Sequence, residues 1–556
     1  MDDDRSFRHR RLAAVNLSIL LANCKNMRHL RQIHAQVITS TTVTTNTFLL
    51  TRILLFLTTS DKGSLPYATA LFRTIQNPNR FMYNTMIRAH STANSDHHFS
   101  DRGGSLAFYK KMMSTSSVRP DHITFPFLLK YCCSIRNLIS SESVHAHVLK
   151  FGVGVDLFVQ NGMISMYSSF GSIQSALKVF TGMPEKDIVS WNSILIGSLR
   201  CGDLDLALGL FDEMKQDNNR NIVSWNSIMT GLVQAGRPKD ALIFFHEMFD
   251  SDGGGVLPDK ITISVVICAC AALGALDHGR WMHNYMKRRN ELEIDTVLGT
   301  ALVDMYGKCG CVERASNVFD DIPNKDVLAW TAMISAFAVN GHGEEAFALF
   351  SEMEKHGIRP NQVTFGALLN ACAHSGLLIK GRQSFRTMKD VYGIVPNLQH
   401  YACMVDLLSR AGLFEEALEL IRTMPIKPDV YVFGALLGGC RMHGNAELGE
   451  ELAEYLINLD PRNHVFYVIL SDIYAKGNKF SNVKRIREFM SENGINKTSP
   501  GCSMIEINGI IHEFSVNGYD GSEVSSNEIG FMSNLILDQL RCVKPSGADN
   551  DQVTGI

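Results

Sequence analysis

Asparagine or threonine stands at Asn84, Asn161, Asn192, Asn226, Thr300 and Thr331, and aspartate or asparagine at Asp121, Asp187, Asn221, Asp259, Asp326 and Asn361. Thr51 with Asn79, and Ser264 with Asp295, extend the two series. The chemistry common to these side chains is hydrogen bonding, as donor, acceptor or both. Base edges of nucleic acids present complementary donors and acceptors, so a periodic row of amides and hydroxyls can read them. The second series has another use, because aspartate and asparagine cap helix N-termini. The first series lacks that use: it falls one turn inside a helix, where asparagine and threonine have poor propensity.

Other chemistry is absent at the level of motif. A hydrolytic zinc site of the deaminase type needs His-x-Glu together with Pro-Cys-x-x-Cys. The chain has His342-Gly343-Glu344 but no Cys-x-x-Cys, and Cys268/Cys270 and Cys309/Cys311 are spaced too closely for a zinc knuckle. Gly253 to Gly255 are not followed by the Lys-Ser of a phosphate-binding loop. No cofactor, metal or catalytic residue is expected.

The elements that carry the polar rows repeat. Gly202, Ala207 and Phe211 recur as Gly171/Ala176/Phe180, Gly236/Ala241/Phe245, Gly310/Ala315/Phe319, Gly341/Ala346/Phe350 and Gly412/Ala417/Ile421, while Gly274 and Gly376 carry Gly279 and Gly381 in place of the alanine. A fixed internal spacing at a period of 31–38 residues is the mark of a helical repeat array. Between Ile188 and Asn221, Trp191, Ile194, Leu195 and Leu199 form one apolar stripe, and Leu204, Leu208, Phe211 and Met214 a second, with Gly202 between them as a left-handed cap. Each unit is therefore expected to be a helical hairpin, and stacked hairpins share one continuous core. Pro120, Pro258, Pro360, Pro396 and Pro428 punctuate unit ends.

Composition narrows the partners. The 556 residues carry a net charge of −3, without the strong basic excess of a general nucleic-acid binder. Thirteen scattered cysteines, most of them on apolar helical positions, read as buried free thiols in a reducing compartment. No apolar run reaches a membrane span, so no membrane partner is expected. Residues 1–12 resemble a targeting segment: past Asp4 the chain is arginine-rich and has no acid before Asp61.

With Gly444 to Gly449 (Gly-Asn-Ala-Glu-Leu-Gly) and Pro500 to Ser503 (Pro-Gly-Cys-Ser), these alternating units resemble a plant pentatricopeptide repeat protein of the PLS subclass with an E-type C-terminal extension. The resemblance implies an all-α fold, a right-handed α-solenoid of stacked helix-turn-helix repeats. Units are expected at about 13–46, 47–79, 80–121, 122–156, 157–187, 188–221, 222–259, 260–295, 296–326, 327–361, 362–397 and 398–429. A helical extension at 430–520 and a polar, partly disordered tail at 521–556 should follow. The deaminase-like domain of many relatives would begin near Pro500, where this chain is close to its end.

The resemblance also implies a partner, single-stranded organellar RNA, read one base per repeat. The fifth and last residues of a unit would set the base: U for Asn84 with Asp121, Asn161 with Asp187 and Asn226 with Asp259; a pyrimidine for Asn192 with Asn221; G for Thr300 with Asp326; A for Thr331 with Asn361 and for Thr51 with Asn79. Ser264 with Asp295 leans to G, while Pro126, Gly366 and Ala402 offer no side-chain hydrogen bond. The expected RNA is 5′-A-U-N-U-Y-U-N-G-A-N-N. The apolar second residues Phe81, Val189, Val223, Val297 and Leu328 would wedge between bases, or else pack in ordinary grooves. The function implied is site recognition for C-to-U editing. The extension would recruit a deaminase-bearing protein or editing accessory factor in trans, and unit 398–429 would sit four nucleotides upstream of the edited C. The alternatives are transcript stabilisation, splicing or processing without editing, and a protein-interaction scaffold. The mitochondrion is favoured over the chloroplast on the arginines.

Overall fold

Two apolar stripes separated by one glycine fold each unit into a pair of antiparallel helices. In unit 188–221 these are Ile188–Arg200 and Leu204–Gln216. Gly202 between them has φ of +78°, and Gly171, Gly236, Gly274, Gly310, Gly341, Gly376 and Gly412 lie between +68° and +77°. A side chain there would clash with its own backbone, which is why the spacing is anchored on glycine.

The computed structural model describes residues 17, 19–21, 24, 26–39, 47–92, 104–115, 118–216, 220–250, 256–288, 294–495, 502–507 and 510–515. The candidate targeting segment 1–12, the glycines 253–255, Pro500-Gly501 and the expected tail 521–556 lie outside them. The chain divides into two compact units, Met1–Ala269 and Cys270–Ile556.

In the first unit, among the described residues, hairpins begin at the helices Thr47–Thr59, Arg80–Thr92, Thr124–Ser134, Leu157–Ser169, Ile188–Arg200 and Ile222–Gln234. Successive first helices pack side by side, and each second helix covers its own partner. The landmark residues are core: Ala176, Ala207 and Ala241 are buried, as are Phe180, Phe211 and Phe245. Phe180 meets Trp191 and Phe211 meets Trp225 edge-on, with ring centroids 4.9 and 4.8 Å apart. These contacts tie the second helix of one unit to the first helix of the next, each contributing about 1 kcal/mol beyond burial.

The second unit repeats the plan through Thr296–Lys308, Val327–Val339, Gln362–Ser375, Leu398–Arg410, Val430–His443 and His464–Lys476. Phe319 on Trp330, at 5.0 Å, is the same joint. The extension from Val430 is helical as far as Glu492. Past that point the expected helical character is corrected: Cys502–Ile507 and Ile510–Ser515 form an antiparallel β-hairpin with Ile507 opposite Ile510. The Asn508-Gly509 between the strands is the residue pair most favoured for a two-residue hairpin connection.

Cys132, Cys372 and Cys440 are buried free thiols. Burial pushes Cys132 and Cys440 up to about 11 and Cys372 up to about 12. No helix among the described residues is long and apolar enough to cross a membrane.

Candidate nucleic-acid interface

Each last residue of a unit caps the helix that opens the next. Asp187 Oδ1 accepts the Ser190 N–H at 2.8 Å, Asn221 that of Ser224 at 3.0 Å and Asp259 that of Thr262 at 2.8 Å. Asn79, Asp121, Asp295, Asp326 and Asn361 accept from Met82, Thr124, Leu298, Ala329 and Thr364 at 2.9–3.1 Å. Eight residues of the second series therefore share one local geometry, set by the cap preference of Asp and Asn.

The fifth residues do have a structural partner, contrary to the expectation from sequence. Asn84 Nδ2 donates to Asp121 Oδ1 at 3.1 Å, Asn226 Nδ2 to Asp259 Oδ1 at 3.0 Å and Asn192 Nδ2 to Asn221 Oδ1 at 3.3 Å. The Asn161 side chain also acts on Asp187, helping to hold that carboxyl below its ordinary value. The reason is geometric: one turn into a helix, the side chain reaches sideways to the cap of the neighbouring first helix. The threonines behave otherwise. Thr300 and Thr51 turn their hydroxyls back to Thr296 O at 2.7 Å and Thr47 O at 2.5 Å. Thr331 meets the Thr364 hydroxyl at 2.8 Å. Ser264 lies in helix Lys260–Leu273, in the first compact unit, and Asp295 caps Thr296–Lys308 in the second.

The paired groups sit at the floor of a groove. Asn226 is only 6 % exposed, whereas the second residues Val223 and Ile261 on either side are 46 % and 59 % exposed. With Asp259, Arg200, Thr230 and Gln234 they line an open cleft of about 380 Å³. Its chemistry suits a flat heteroaromatic ring: hydrogen-bonding groups below, apolar side chains at the edges and a guanidinium among the walls. Phe81, Val189, Val297 and Leu328 are likewise half-exposed or more.

Burial alone would push the Asp259 carboxyl up. The Thr262 N–H and hydroxyl and the Asn226 amide outweigh it and hold the group below its ordinary value. Asp121 is lowered against the same burial by Thr124 and Asn84, with Arg80 3.6 Å away, and Asp187 by Ser190 and Asn161. Asp121, Asp187 and Asp259 are therefore anionic acceptors at neutral pH, each engaged through Oδ1.

His342-Gly343-Glu344 offers nothing similar. His342 lies 3.4 Å from Glu345 at the start of helix Gly343–Lys355, and Glu344 pairs with Lys380. No cluster of potential metal ligands occurs among the described residues. The sequence reading overlooked Thr124, Thr262 and Thr364, which stand three residues past a cap and touch the preceding fifth residue. Their signal was the capping-box spacing Asp-x-x-Thr and Asn-x-x-Thr.

Comparison with known proteins gives these hairpins a family. Residues 220–272 and 325–374 match the PPR repeat family, and 161–188, 189–219, 300–327, 363–391 and 400–427 match the PPR repeat. Residues 443–506 match the E motif. The Arabidopsis thaliana pentatricopeptide repeat-containing protein At5g48910 is 41 % identical over 535 residues, covering 93 % of this chain and 80 % of its own length. Protein At1g59720 of the same plant, named chloroplastic/mitochondrial, is 36 % identical, covering 94 % of this chain and 77 % of its own. The crystal structure of PPR10 in complex with an 18-nt psaJ RNA element is 16 % identical, with a TM-score of 0.39 over 86 % of this chain and 82 % of that one. On the extent and identity of the Arabidopsis matches, the chain belongs to the pentatricopeptide repeat family and carries an E motif after its repeats.

Proposed function

We propose that this chain is a sequence-specific single-stranded RNA-binding protein of a plant organelle that selects a site for C-to-U editing. In this reading, residues 430–520 recruit the deaminase in trans. The observation that carries the reading is the cleft at Asn226. There the fifth and last residues of one unit meet at a groove floor between exposed apolar second residues of two successive units. A protein-interaction scaffold has no use for amide–carboxylate pairs repeated at that depth. The E motif favours editing over transcript maintenance among RNA readings. The organelle is the mitochondrion, with the chloroplast as the alternative.

Two experiments test the reading. Replacing Asn161, Asn192 and Asn226 together with alanine should remove selectivity for the expected RNA while the protein stays folded; unchanged selectivity ends the base-reading model. Sequencing organellar transcripts from plants with and without the protein should then show editing lost at a few cytidines preceded by the expected bases. Intact editing with altered transcript ends would assign the protein to transcript maintenance.

A further inference from the structure

Three units carry fifth residues unable to read strongly, Pro126, Ser264 and Gly366, yet all three carry threonine at their third position: Thr124, Thr262 and Thr364. Each hydroxyl reaches back to the fifth residue of the preceding unit. Thr124 Oγ1 lies 2.7 Å from Asn84 Oδ1 and 2.9 Å from Asp121 Oδ1, and Thr262 Oγ1 lies 2.7 Å from Asn226 Oδ1 and 2.9 Å from Asp259 Oδ1, so each hydroxyl proton is shared between the nearer amide oxygen and the cap carboxylate; Thr364 Oγ1 meets Thr331 Oγ1 at 2.8 Å. All three threonines are fully buried.

The other asparagine positions lack this contact. Where the next unit carries Ser190, its hydroxyl goes to the Asp187 carboxylate at 2.7 Å; where it carries Ser224, to the Asn221 backbone oxygen at 2.7 Å. Asn161 Oδ1 and Asn192 Oδ1 are then buried without a hydrogen-bond partner among the described residues. Asn192 as a whole is only 8 % exposed.

We infer that Thr124, Thr262 and Thr364 are positioning residues for the preceding unit's base-reading side chain, so that units weak in their own reading sharpen the reading of their neighbours. The inference rests on the base-reading proposal above. An amide held at both ends, Nδ2 by the cap and Oδ1 by the threonine, presents its remaining N–H and lone pair in one direction. An amide held only through Nδ2 pivots about its last bond, and a pivoting group discriminates less between the donor–acceptor patterns of U and C. The same logic assigns Asn161 and Asn192 a different behaviour: their orphan acceptor gains its donor only from a bound ligand or water.

The test is Thr262→Val, which removes the hydroxyl and keeps the shape. The full-length protein is assayed against four RNAs that differ only at the nucleotide facing Asn226. The ratio of affinities for U and C at that nucleotide should fall about three- to tenfold, the size of one net hydrogen bond. In a second set of RNAs varied only at the nucleotide facing Asn192, the ratio should not change. Thr262→Ser, which restores a hydroxyl at the helix start, controls for loss of the cap and should recover folding stability. Equal weakening on all four RNAs, or an unchanged U:C ratio, would overturn the inference. Asn226→Ala separates the two failures: if it too leaves the ratio unchanged, base reading itself is wrong at this unit; if it abolishes the ratio while Thr262→Val does not, only the positioning role falls.

Discussion

At the scale of single residues, one side chain serves two masters. Asp259 caps helix Lys260–Leu273 and accepts from Asn226. Substitution separates the roles. Asp259→Ala should cost about 1 kcal/mol, the usual loss of a cap, seen as a lower denaturation midpoint. Asp259→Asn retains a cap acceptor, so its midpoint should stay near the parent's while preference at the facing nucleotide broadens from U to either pyrimidine. A midpoint loss equal to that of the alanine variant would contradict this. The second residues act differently. Val223 and Ile261 are too exposed to support the core, so replacing both with alanine should leave stability unchanged. RNA affinity should weaken by about 1 kcal/mol, whatever the base, as apolar area covered on binding is lost. The polar series was legible from sequence because Asn and Asp at a fixed period have few reasons to be there. The hydrogen bond joining the fifth residue to the following cap was not, because its partners stand 29 to 37 residues apart.

At the scale of elements, close approach of neighbouring first helices depends on small residues near their C-terminal ends. A Cβ at Gly307 would lie 2.5 Å from Ala336 Cβ and 3.0 Å from its Cα, with backbone rather than a flexible side chain behind it. Gly307→Ala should therefore cost about 1–3 kcal/mol by pushing Thr296–Lys308 from Val327–Val339, measured by urea denaturation. An effect below about 0.5 kcal/mol would mean the helices separate freely. The hairpins themselves could be read from two apolar stripes and a glycine. The β-hairpin at Cys502–Ser515 was missed although its alternating residues and Asn-Gly pair were visible. A helical expectation for the whole extension masked a local period of two.

At the scale of the molecule, buried titratable groups make stability fall in acid by two routes. Burial holds His283 down to about 4, aided by Lys287 and Arg314, with its Nδ1 2.9 Å from the Tyr306 hydroxyl. Its folded value lies below the ordinary 6.5, so its contribution is full above pH 6.5 and is lost as pH falls toward 4. The caps Asp121, Asp187 and Asp259 also lie below their ordinary 3.8, so their contribution is full above that pH and is lost below it. The melting temperature should therefore decline from about pH 6.5 and fall further below about pH 4. Burial also lowers His34, His90, His145 and His400, so His283→Gln should reduce the slope of the first limb and leave the second unchanged, in a series of melts at stepped pH; an unchanged slope between pH 6.5 and 4 would remove His283 from the account.

The sequence by itself determined the hairpin repeat, its glycine joints and the two polar rows, because period and residue type are local properties that a chain carries before it folds. Only the tertiary structure decided how those rows are used. It brought Asn226 onto the cap of the next unit, closed the amide with Thr262 and left Asn192 with a free acceptor. These outcomes turn on distances between helices that are remote in the chain, and the side-by-side packing of first helices sets those distances.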